Sequence, residues 1–205
     1  ETADLAAIKT SVIAVLSSAQ VAALTTNQIS SLPTASLAAL STAGIAALTT
    51  AQVVALSSAQ ISSLSTQQVS ALTDDSIGAI ETADLAGLST TQVSVLRSAQ
   101  LGLLSTDQVG ALSTNQISAL SSNAFAGLST NQVAALTTAQ ASILSTAQVA
   151  ALSTNAVAAI ETADLAALST SAVAALSAAQ LKALTTNQVV ALSTNEAAAL
   201  GTNQV

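Results

Sequence analysis

Apolar residues recur along this chain on a fixed eight-residue step, without an insertion or deletion. Every residue whose number is a multiple of eight is Leu or Ile, from Ile8 through Leu16 and Leu24 to Leu200. Three residues before each stands a second apolar residue in nearly every copy, as in Leu5, Ile13, Val21, Ile29 and Val189. With the Leu taken as position 8, position 1 is mostly Ser or Thr and position 4 mostly Gln, so the unit reads L-[ST]-T-x-Q-V-A-A-L. Fourteen octads carry Ser or Thr at position 1 with Gln or Glu at position 4, among them Ser17 with Gln20, Thr25 with Gln28, Ser57 with Gln60 and Ser129 with Gln132. That spacing is a capping box: the hydroxyl accepts from the N3 backbone N–H, and the N3 side chain returns to the N-cap N–H. The Leu then falls at N′ and the Val or Ile at N4, the two partners of a hydrophobic staple.

Two independent helix-start signals thus agree on one register. A continuous helix does not fit, because eight residues at about 100° each leave the apolar stripe about 80° out of phase per octad. The Ser-Thr pairs favour caps over helix interiors. The pattern predicts helices of about six or seven residues, roughly 10 Å long, with the chain bending at every cap. Helices this short are unstable alone and must be held by neighbours. The expected fold class is therefore all-α, a repeat solenoid of short capped helices, one per octad. The rival is a β-solenoid, since Thr, Val and Ile suit strands and short repeats often form β-helices. Against it stand the Ala-Ala pairs at positions 6 and 7, the i, i+3 apolar spacing and the capping boxes.

The same numbering assigns the packing. Positions 5 and 8 are expected inside, and positions 2 and 3 outside. The small residues at positions 6 and 7, as in Ala22-Ala23, Ser30-Ser31 and Ala134-Ala135, would let neighbouring helices approach closely. Pro33 stands at position 1, where a proline opening a helix is tolerated. Gln at position 4 has two readings: a capping partner, or an amide in a ladder between stacked coils.

The array is expected to run through residues 1–205 as one domain. A longer repeat lies on it: ETADLA stands at 1–6, 81–86 and 161–166, each later copy after an Ile at position 8, Ile80 or Ile160. The spacing of 80 residues reads as block duplication, or as a structural period such as a recurring contact. The chain opens on Glu1 rather than Met and stops five positions into an octad at Val205, so it is expected to be an excerpt of something longer.

Composition narrows the chemistry. There is no His, Cys, Met, Trp or Tyr, and Phe125 is the one aromatic. Without His or Cys, no Ser-His or Cys-His pair can be built, and disulfides and thiolate metal sites are excluded. The net charge is −7, with Lys9, Arg97 and Lys182 the only basic residues, which argues against nucleic acid. Lys182 reads as a solvated substitution rather than a base. Mean hydropathy is positive, yet a polar residue interrupts every octad, so no run approaches the roughly 20 apolar residues of a membrane helix. No catalytic, cofactor-binding or metal-ligating residues are expected, and no cofactor or small-molecule substrate.

The densest charge cluster is Asp74, Asp75, Glu81 and Asp84. Oxygen-rich clusters can take Ca²⁺, but the following block has Glu161 and Asp164 with Thr154 and Asn155 in place of the aspartates. The plainer reading is acidic residues favoured near helix N-termini and at the surface. The regular Thr at position 2 offers a hydroxyl array to ice or another ordered surface, though its polar neighbours vary.

The LSTxQVxAL and TTAQVxAL units, with IETADLAAL among them, resemble the low-complexity repeat regions of very large bacterial surface and secreted proteins, of the kind labelled adhesin-like or haem-utilisation-like. The resemblance covers the whole chain and implies an extracellular, repetitive stalk or fibre without catalytic residues. Nothing here supports the haem label, since the chain lacks His, Met, Cys and Tyr as axial ligands. The opening of each octad also looks like the first helix of DNA-binding TAL-effector repeats. That likeness ends at the cap: the second helix, the 34-residue period and the basic charge are missing. Two functional expectations follow. One is a structural segment of a secreted fibre, sheath or adhesin stalk that associates with itself. The other is a binding module whose repeated face recognises carbohydrate, a partner protein or ice. An enzyme is not expected.

Overall fold

The computed structural model describes residues 8–201; the first ETADLA copy and Val205 lie outside them. Among the described residues there are 24 helices and no strands, so the fold is all-α and the β-solenoid is set aside. One helix occupies each octad, from Thr10–Ile13 to Thr194–Ala198. The capping boxes lie where the octad predicts: in Ser17/Gln20, the Gln20 N–H donates to Ser17 Oγ at 3.3 Å, and the Ser17 N–H donates to Gln20 Oε1 at 2.8 Å. Where position 4 is small, half of the box survives, as at Ser153, whose hydroxyl accepts from the Ala156 N–H. At Arg97 the opposite half survives: its N–H donates to Gln100 Oε1 at 2.9 Å, while a guanidinium has no acceptor to return.

The helices are four to six residues long, shorter than the spacing suggested. The cause lies at the C-terminal end. Position 8 leaves the helical region for an extended conformation, as in Leu72 at φ −57°, ψ 140° and Leu152 at φ −63°, ψ 143°. Position 1 follows, also extended, as in Ser65 at φ −70°, ψ 162°. Two extended residues in succession reverse the chain. No described residue has a positive φ, so these helices stop without a left-handed C-cap, and glycine need not recur in phase. Pro33 is itself an N-cap residue, outside the helix Thr34–Ala39, at φ −55° and ψ 145°. Its ring suits that extended position and requires no tolerance within the first turn.

The chain forms two compact units, Glu1–Leu96 and Arg97–Val205. In the first, Ser18–Ala22 packs on Thr42–Ala46, which packs on Thr66–Ala71. In the second, Ser122–Phe125 packs on Thr146–Ala151, which packs on Thr170–Ala174. Within each unit, therefore, a helix lies against the third helix along the chain, the stacking of a helical repeat solenoid.

Burial follows the octad. Positions 5 and 8 form the core, with Val109 at 1% and Leu112 at 3% exposure, and Phe125 is fully enclosed at a position 5. Position 3 is exposed, and position 2 exposed or half-buried. Position 6 is largely exposed, yet its edge meets the neighbouring coil: a Cβ on Gly102 would lie 2.9 Å from the Gly127 carbonyl oxygen, and one on Gly110 3.3 Å from that of Ala135. The tightest contact is at Gly127, where a Cβ would come within 2.2 Å of the Ser98 carbonyl oxygen. Position 7 is Ala in most other octads, so the coils have closed in locally around the missing methyl group.

Leu112→Ala should destabilise the fold by about 2–5 kcal/mol in urea unfolding, the usual cost of truncating a buried leucine. A change within error would show that position 8 does not carry the core.

Candidate functional site

Short helices leave most of their backbone groups unpaired, four N–H at one end and four C=O at the other. In this fold the position-4 glutamine meets both needs with its two amide atoms. Its Oε1 accepts from the N-cap N–H of its own octad; its Nε2 donates to carbonyls at the C-terminal end of a helix four octads earlier. Gln52 accepts from the Thr49 N–H at 2.8 Å and donates to the carbonyls of Val21 at 2.9 Å and Leu24 at 2.6 Å. Gln60 repeats this with Ile29 and Leu32, both at 2.9 Å. In the second unit Gln132 reaches Leu101 and Leu104, Gln140 reaches Val109 and Leu112, and Gln148 reaches Ile117 and Leu120. A capping role and a ladder role were alternatives on sequence; the structure has both at once, because the amide's acceptor and donor point to different coils.

The acceptors are chosen by geometry. The position-5 carbonyl already receives the position-8 N–H, as in Leu24 N–H to Val21 O at 3.1 Å. The position-8 carbonyl projects from the extended residue, beyond the reach of its own helix. Helix packing joins each octad to the third along, while the glutamine reaches the fourth. One coil therefore takes between three and four octads, and each helix sits over a junction in the coil beneath.

This makes position 4 part of the interior. Gln60 and Gln148 are 2% exposed, as buried as the leucines. Sequence reasoning placed only positions 5 and 8 inside and missed it. A signal was present: where position 4 is not Gln in the body of the array it is Ser36, Gly44, Ser76, Ala124, Ala156 or Ala172, or an acid, and no Lys or Arg stands there. A confined slot admits these and excludes long cations.

The acids divide by place. Asp74 and Asp75 lie in the first turn of Asp74–Gly78, and Glu81 is an exposed N-cap residue without a side-chain cap bond. Asp84 is not a surface residue as expected: it is buried at position 4, and the Ser58 hydroxyl donates to its Oδ1. Asp164, 80 residues on, repeats this with the Thr138 hydroxyl at 2.7 Å. The two described ETADLA copies thus replace a glutamine rung by a carboxyl that takes a position-2 hydroxyl three octads earlier. Glu161 is exposed like Glu81, as are Thr154 and Asn155. Among the described residues no three His, Cys, Asp or Glu side chains are grouped to hold a metal ion. Lys9, Arg97 and Lys182 are all exposed.

An open groove of about 410 Å³ lies beside Gly87, lined by Ser62, Ser65, Thr66, Ser89 and Thr91 among others. It holds hydroxyls but no charged or nucleophile-activating group, so it offers surface and no chemistry. Among the described residues no helix is long and apolar enough to cross a membrane.

A family model described as the ALTTAQ repeat matches residues 1–34, 29–58, 77–114, 114–154 and 157–194. The chain belongs to this repeat family. The hexapeptide ALTTAQ stands verbatim at 47–52 and 135–140, running from position 7 of one octad to position 4 of the next. In structural terms an ALTTAQ segment is the turn between two helices followed by the capping box and the ladder glutamine. No curated protein matches the chain.

Gln148→Glu should retain the cap, as Glu196 retains its own by accepting from the Ser193 N–H at 2.7 Å. It removes the N–H donors to Ile117 and Leu120, and should cost about 2–3 kcal/mol in chemical unfolding. Glu196→Gln is the converse: the side chain is buried, and the added donors face the register of Leu165 and Leu168. It should raise stability by about 1 kcal/mol. Equal, small effects from both would mean that the ladder bonds contribute nothing.

Proposed function

We propose that this ALTTAQ repeat chain is a structural element: the repeat segment of a secreted bacterial fibre, sheath or adhesin stalk, at the cell surface, without catalysis and associating with itself. The observation that carries this reading is the uniformity of the ladder. Rung after rung in both units holds two coils together through one amide, and the polar groups that are buried are occupied in doing so; among the described residues none of the buried side-chain N or O atoms lacks a partner. A catalytic centre needs a place that differs from its surroundings, with groups held ready for a reaction. Among the described residues the departures from the rule at position 4 are small residues, Val12, the capping Glu196 and two hydroxyl-bound aspartates. A chain that repeats one contact along its length suits a spacer, whose length scales with the number of octads. The exposed positions 1 to 3 are short, hydroxyl-rich and low in charge, in keeping with lateral packing between copies.

Antibodies against the chain, applied to intact source cells with gold labelling in electron microscopy, should decorate external filaments or a surface layer. Label confined to the cell interior would overturn the reading.

A further inference from the structure

The ladder is interrupted inside the second unit. Three successive position-4 residues, Ala156, Asp164 and Ala172, are not glutamine, the one run of three in the sequence. A coil takes between three and four octads, so these three carry most of one coil junction. The junctions on either side of it keep their rungs. Gln132, Gln140 and Gln148 reach Leu104, Leu112 and Leu120 on one side, and Gln180 and Gln188 reach Leu152 and Ile160 on the other. A rung reaches the residues 31 and 28 before it. The carbonyls of Leu128, Leu136 and Leu144, three buried leucines, therefore fall to Ala156, Asp164 and Ala172. Alanine has no donor, and the Asp164 carboxyl instead accepts from the Thr138 hydroxyl at 2.7 Å. Half-caps remain at Ser153 and Ser169, whose hydroxyls accept from Ala156 and Ala172 N–H; Glu161 makes no side-chain cap bond.

Packing shows the same junction independently. Leu128 and Leu136 on one side of it are each 6% exposed, and Ile160 and Leu168 on the other are 7% and 5% exposed. Every other position-8 residue from Leu32 to Leu176 is at 4% or less. The first unit carries a shorter form. Ser76 and Asp84 stand 80 residues before Ala156 and Asp164, but Gln92 holds the third place and donates to the Ser62 and Leu64 carbonyls at 3.1 and 2.7 Å.

We propose that the junction between residues 121–144 and 153–176 is a built-in seam, at which the second unit opens locally and reversibly without unfolding as a whole. Apolar burial holds the seam shut, while the directional bonds that oppose separation at the neighbouring junctions are absent. Opening also gives water to carbonyls that the closed seam leaves without a glutamine donor, so parting the coils here costs less than parting them at a rung-bearing junction. Sub-global openings begin at such places of low local stability. The Thr138–Asp164 bond marks the register in which the seam recloses. For the spacer proposed above, and resting on that reading, the seam is a yield point that gives way under load before the rung-bearing junctions.

The experiment is native-state backbone hydrogen exchange by NMR on the full 205-residue chain, followed through sub-denaturing urea. The Leu128 and Leu144 N–H groups donate to the Phe125 and Ala141 carbonyls, both at 3.1 Å, at the seam; the Leu112 N–H donates to the Val109 carbonyl, which Gln140 also holds. Leu128 and Leu144 should exchange about tenfold faster than Leu112 or more, with a shallower urea dependence, the mark of a local opening. Ala172→Gln restores a rung to Ala141 and Leu144 and should slow Leu144 towards the rate of Leu112. Gln140→Ala removes a rung and should speed Leu112 by about tenfold. Protection of Leu128 and Leu144 equal to that of Leu112 overturns the proposal, as does one urea dependence shared by all three. An unchanged Leu112 in Gln140→Ala overturns it too, as does an unchanged Leu144 in a folded Ala172→Gln. If Ala172→Gln fails to fold, the native chain and Gln140→Ala decide. These readings come from the isolated chain and leave the gold-labelling result untouched.

Discussion

The fold depends on a side-chain amide with its two ends in different coils. A helix of five residues has almost no internal hydrogen bonds, and both its termini are orphaned. Apolar burial of Val and Leu can press such helices together, but burying their unpaired carbonyls would cost much of what was gained. The position-4 glutamine removes that penalty at both ends at once: Gln148 satisfies the Ser145 N–H below and the Ile117 and Leu120 carbonyls across the coil junction. Glutamine is the side chain with the required combination of acceptor, donor and reach. Glutamate keeps only the acceptor, and aspartate falls short and turns to a hydroxyl three octads away, as Asp84 and Asp164 do.

This explains how an array can persist with one buried Phe as its only aromatic and no glycine C-caps. Directional bonds fix the register between coils, while Leu, Ile and Val fill the space. The extended Leu at position 8 has two parts in this. Its side chain lies in the core, and its carbonyl is aimed outward as the acceptor for the following coil. The repeat is thus closed on itself: cap, ladder and core use residues of one octad in one register, in keeping with a sequence that carries no insertion between octads.

Much of this was legible in the sequence. The caps and staple placed every helix start, and the apolar pair at positions 5 and 8 identified the core, because both are local signals. What was not legible was long-range. The helix length depended on the extended Leu, whose carbonyl meets its partner on the next coil but whose backbone is equally extended at Leu168 and Leu192, to which no described glutamine donates. Burial of Gln at position 4 depended on the same partner, thirty-one and twenty-eight residues away, and a polar residue in a capping box reads by default as surface. Asp84 was misplaced for that reason: taken with Asp74, Asp75 and Glu81 it read as surface charge, when its position in the octad made it a substituted rung.

Side-chain amide hydrogen exchange measured by NMR addresses the ladder itself. The Nε2 protons of Gln132, Gln140 and Gln148 should be strongly protected, while those of Gln20, which cap the same way but reach no carbonyl, should exchange at the rate of free glutamine in monomeric protein at low concentration. Uniformly fast exchange across all four would contradict the account, since the glutamines would then be caps alone and the coils would be held by apolar contact only.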